Sequence, residues 1–118
     1  MKYGFSKTTD YSFEQAIEKV TEELKKEGFG VLTTIDVKDT LKYTILGACN
    51  PKLAHGALQL EEELGSLLPC NVIVYEKNEK TVVSIFDPIV MTTLVENPEM
   101  KPVAEEVKTK LQRVLEAV

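Results

Sequence analysis

The chain has 118 residues, the length of a single domain, and its 43% hydrophobic and 28% charged composition supports a core that needs neither disulfides nor a structural metal. Its formal net charge is −5 with acidic and basic residues interleaved, and the nearest thing to a basic patch, Lys25-Lys26, is flanked by Glu22, Glu23 and Glu27. Nucleic acid is therefore excluded as a partner, because displacing counterions from phosphates takes clustered Lys and Arg. No run approaches the roughly 20 apolar residues of a membrane span, and residues 1–6 carry no signal-peptide core, so the expectation is a cytoplasmic protein with no membrane partner. In that compartment Cys49 and Cys70 are expected as thiols rather than a structural disulfide.

Residues 1–9, with Tyr3, Phe5 and Thr8, read as an opening strand. Ser12 followed by Gln15 is a capping box, and Phe13, Ala16, Ile17, Val20 and Leu24 then recur at helical spacing until Gly28, a residue suited to a left-handed helix end. Residues 29–37 are β-branched and apolar, and simple alternation puts Val31, Thr33, Ile35 and Val37 on one face of a second strand. After a polar break at Lys38-Asp39, residues 43–49 form a third strand, stopped by Asn50-Pro51. Asn is a favoured N-cap and Pro a favoured first helical residue, so a short helix follows, carrying Leu53, Ala54, Ala57 and Leu58 and breaking before Gly65.

Residues 70–77 and 80–86 are two β-rich runs joined by Asn78-Glu79, a hairpin. Asp87-Pro88 repeats the helix-start chemistry and introduces a turn or two of helix over 89–95. The last element, about 100–118, has an apolar stripe of Val103, Val107, Leu111, Val114, Leu115 and Val118. The order β-α-β-β-(short α)-β-β-α predicts one domain of the α+β class, a two-layer sandwich in which two main helices cover one face of a curved, largely antiparallel sheet.

Three segments in this order, Gly47-Ala48-Cys49-Asn50-Pro51, Leu68-Pro69-Cys70-Asn71-Val72 and Asp87-Pro88 after the hairpin, resemble the family known as domain of unknown function 302, along essentially the whole chain. The resemblance implies a two-layer fold of TATA-binding-protein-like topology and a homodimer, and it implies no particular activity. One departure stands out. Relatives have a longer, Lys-rich stretch ahead of the Tyr-containing strand, whereas here Thr40-Leu41-Lys42 runs straight into Tyr43.

The candidate site centres on Cys49, at the end of a strand and directly before a helix start, where unpaired N–H groups and the helix dipole favour a thiolate. The competing reading makes Cys49 a small buried hydrophobe. Cys70 heads the next strand, and with Cys49 it could form a thiol pair, although the short Cys-x-x-Cys spacing of a redox motif is absent. Cys49, Asn50, Pro51 and Asn71 are the candidate ligand-binding residues. Cys49, His55 and Cys70 offer three ligands for a transition metal in a spacing that matches no established pattern, and no cofactor is predicted. Tyr3, Tyr43 and Tyr75 read as packing residues, Asp87 and Asn97 as caps, and Glu61-Glu62-Glu63 as a solvated helix face lacking the alternation of a calcium loop. Three functions follow: a binding domain with a small-ligand or metal site at the Cys49-Asn50-Pro51 helix start, a thiol-dependent redox or transfer enzyme using Cys49 with Cys70, or a homodimeric assembly module with no site.

Overall fold

The structure, a computed structural model, describes residues 3–37 and 42–118. The short junction ahead of Tyr43, where a truncated loop is expected, lies largely outside the described residues, as do the first two residues of the opening strand.

Strand β1 spans Gly4–Thr9, and helix α1, Phe13–Lys26, follows with both halves of its capping box formed. The Gln15 amide donates to Ser12 Oγ at 3.2 Å, and the Ser12 amide donates to Gln15 Oε1 at 3.1 Å. At the other end the Phe29 amide donates to the Leu24 carbonyl and the Gly28 amide to that of Lys25, with Gly28 at φ 85°. That is a Schellman closure, and it needs the residue without a Cβ. The remaining elements are β2 (Gly30–Asp36), β3 (Tyr43–Cys49), α2 (Pro51–Leu60), a 3-10 segment (Glu62–Leu67), β4 (Cys70–Lys77), β5 (Lys80–Phe86), a 3-10 turn (Pro88–Val90), α3 (Met91–Leu94) and α4 (Met100–Ala117). Asn78 and Glu79, both at positive φ, make the tight β4–β5 turn whose twist matches that of its strands.

The five strands form one antiparallel sheet in the order β1-β5-β4-β3-β2. Leu46, Ala48, Val72, Val74, Val83 and Ile85 point to one face, and they bury Ala16, Val20 and Leu24 of α1 with Leu111, Val114 and Val118 of α4. A second cluster of Ala57, Leu64, Met91, Val95 and Met100 closes one end, where α2, α3 and the start of α4 meet. This is the expected two-layer α+β sandwich.

One strand departs from simple alternation. The register of β2 shifts between Val31 and Thr33, so Val31 sits opposite Ala48 and packs on the core, while Thr33 and Ile35 sit opposite Gly47 and Ile45 on the other face. Leu32 is the extra residue of a β-bulge and is 68% exposed. The expected grouping of Val31 with Thr33, Ile35 and Val37 is thus broken by the bulge.

The second sheet face carries uncharged cross-strand rows. Tyr43, Tyr75, Val82 and Thr8 lie side by side, and next to them run Ile35, Ile45, Ile73, Ser84 and Ser6. The Tyr43 and Tyr75 rings stack with centroids 5.4 Å apart. None of these residues belongs to either buried core.

Candidate ligand cavity

The end of β3, the head of β4 and α2 enclose a cavity of about 50 Å³ with α4. Its walls are apolar side chains, the two cysteines and Asn50. The space has a local cause: Ala48, Ala54, Ala57 and Ala104 meet where the sheet end, α2 and α4 converge, and four short side chains do not fill the gap. Met91 and Met100 line the far side.

Asn50 holds the mouth. Its Oδ1 accepts from the Leu53 amide at 3.3 Å, capping α2, and its Nδ2 donates to the Glu27 carbonyl at 3.3 Å, tying α2 to the end of α1. Gly28 makes this possible, since a Cβ there would come within 2.9 Å of Asn50 Nδ2.

Both cysteines are free thiols; Cys49 is half-buried and Cys70 buried. Cys70 sits opposite Ala48, the neighbour of Cys49, and both line the cavity because the chain leaves the sheet at Cys49 to enter α2. Burial pushes the Cys49 thiol above its ordinary value. Burial, with a smaller contribution from Cys49, pushes Cys70 up to about 11. Burial acts against the activation of Cys49 expected from the helix start. The first residue of α2 is Pro51, which has no N–H, and the Leu53 amide is already occupied by Asn50, so desolvation dominates. At neutral pH both groups are thiols and weak nucleophiles.

Of the sequence-selected residues, Cys49, Asn50 and Cys70 come together. Pro51 is exposed and lines an open groove just outside. Asn71 projects from the opposite sheet face, opposite Gly47, because neighbours along β4 alternate sides. His55 is exposed on α2, and among the described residues no three His, Cys, Asp or Glu side chains gather as a metal would require. The Cys49-His55-Cys70 metal set is therefore corrected, because α2 turns His55 away from the cavity that the thiols face. The same absence covers the Glu61-Glu62-Glu63 run.

Reasoning from sequence missed the alanine and methionine lining. The signal was faint: Ala54 and Ala57 on α2 and Ala104 on α4 are small residues on apolar helix faces. Of the two expected caps, Asp87 caps its 3-10 turn, whereas Asn97 makes a turn bond ahead of α4, whose N-cap, Glu99, has no side-chain cap. Asp87 Oδ1 accepts from the Ile89 amide at 3.0 Å, and Asn97 Oδ1 accepts from the Glu99 amide at 3.0 Å.

No helix among the described residues is long and apolar enough to cross a membrane. Among curated proteins, none matches the chain significantly. Among solved structures, the chain is similar to the crystal structure of an uncharacterized conserved protein DUF302 from Bacillus stearothermophilus, with a TM-score of 0.93 and 26% identity over 99% of this chain and 98% of that one. The family model described as domain of unknown function DUF302 matches residues 5–118. With that span the chain belongs to the DUF302 family.

Proposed function

We propose that the chain is a small binding domain that takes an apolar group into the cavity beneath α2. The observation that carries this reading is the cavity itself: about 50 Å³, bounded by hydrocarbon and two protonated thiols, with its mouth held by a doubly hydrogen-bonded Asn50. An empty apolar space costs packing energy, since its lining atoms lack partners on one side, and a small apolar guest restores those contacts. The raised thiol values weigh against an enzyme that uses Cys49 as nucleophile. Two free thiols suit a reducing compartment such as the cytoplasm.

Titration with hexan-1-ol, followed by methyl NMR, tests the reading. Shifts are expected at Ala54, Met91 and Met100, and those at Met91 and Met100 are expected to vanish in Ala54→Leu, which fills the space. Unchanged methyl signals at saturating hexan-1-ol would overturn it.

A second reading, homodimeric assembly, draws on a different observation, the two uncharged rows on the sheet face opposite the helices, which the Lys77–Lys80 pair borders. The two rows cover roughly 20 by 14 Å by strand spacing and rise, which would form the centre of a standard interface of ~800 Å² per partner rather than the whole of it. A chain of net charge −5 repels its copies, and two uncharged rows bordered by Lys77 and Lys80 are where that repulsion is least.

A further inference from the structure

Beside the cavity lies an open groove between the end of α1, the start of α2 and the middle of α4. Asn50 and Leu53 line both spaces, so the groove and the cavity share a wall. The cavity is apolar, whereas the groove carries five charged residues: Lys26, Lys52, Lys110, Glu27 and Glu106. Two of these are engaged elsewhere, Glu27 with Arg113 at 3.0 Å and Lys26 with Glu23 at 2.9 Å. Among the described residues neither Lys52 nor Lys110 lies within ion-pair distance of a carboxylate. They face one counter-charge, Glu106, leaving the groove locally positive on a chain of net charge −5.

Resting on the cavity reading, we propose that the ligand is an amphipathic monoanion, a short aliphatic carboxylate. Its tail end enters between Ala54 and Met100, and its head lies in the groove against Lys52 and Lys110. The size limit comes from the cavity. At about 50 Å³ it is roughly a third of the ~150 Å³ engineered cavity that takes benzene, so it seats the last two or three carbons of a chain. The next few carbons pass Leu53 to reach the groove, giving an acid of about four to eight carbons. A neutral ligand would leave the two lysines unused, and a purely ionic one would leave the cavity empty.

The test compares hexanoate with hexan-1-ol, the same chain with and without the charge, in the wild type and in Lys52→Gln/Lys110→Gln. Both substitutions lie on the surface of the groove and leave the core intact. In the wild type, hexanoate is expected to bind roughly five- to thirtyfold more tightly, as two partly solvated charges allow. That preference should shrink in high salt and vanish in the double variant, whose affinity for hexan-1-ol should stay unchanged. Equal binding of the two compounds by the wild type, or a preference that survives in the double variant, would overturn the anionic head while leaving the cavity reading intact. If neither compound binds, the cavity reading fails and the inference falls with it.

Discussion

Cys70 illustrates how burial decides the chemistry of a residue. The residue is 7% exposed, and burial pushes its thiol up to about 11, so ionisation is harder in the folded chain than in the unfolded one. The stability this represents is fully present below the unfolded value and is lost as pH rises between about 9 and 11, because only the unfolded state releases its proton there. A two-unit shift corresponds to something on the order of 2–3 kcal/mol. Urea unfolding of the wild type from pH 8 to 11 should therefore show a steeper loss of stability than Cys70→Ala, which lacks the titrating group. Parallel pH profiles would count against this account. The type of residue was plain in the sequence. Its ionisation was not, because that depends on residues such as Phe29 and Met100, which line the same cavity but are distant in the chain.

At the scale of elements, short-range chemistry was legible. Ser12 with Gln15, Asn50 with Pro51, Gly28, and Asn78-Glu79 each act through atoms a few residues away, and each does locally what its residue type predicts. The β2 bulge was not legible. Val31, Leu32 and Thr33 all suit a strand, and which of them is extra is settled by the pairing of β2 with Gly47 and Ala48. Asn50 belongs to both kinds, since its cap is local while its bond to the Glu27 carbonyl joins two helices. Asn50→Ala removes both and should lower stability by about 1–2 kcal/mol in chemical denaturation. Asn50→Ser should regain most of the capping share but not the tie to Glu27, so an Asn50→Ser variant as stable as wild type would show that the tie contributes nothing.

At the scale of the whole molecule, the two sheet faces divide the roles. The helix-covered face supplies the core and the cavity, and the open face carries Ile45, Ile73, Tyr43 and Tyr75 in uncharged rows. If that face joins two copies, sedimentation should give twice the monomer mass for the wild type and the monomer mass for Ile73→Lys, which places a charge at the centre of the rows. A monomeric wild type across accessible concentrations would remove the assembly reading. Because the cavity opens on the other side, ligand binding and the oligomeric state should vary independently.

The sequence by itself determined the class of fold, the order of elements, and most of the caps and turns, since these follow from periodicity and local hydrogen bonding. Only the tertiary structure decided that Cys49 and Cys70 share a space, that His55 and Asn71 face away from it, and that four alanines leave a cavity. Such facts depend on which strands lie side by side and how helices are rotated against them. Those relations are set by packing between residues far apart in the chain, and no local pattern encodes them.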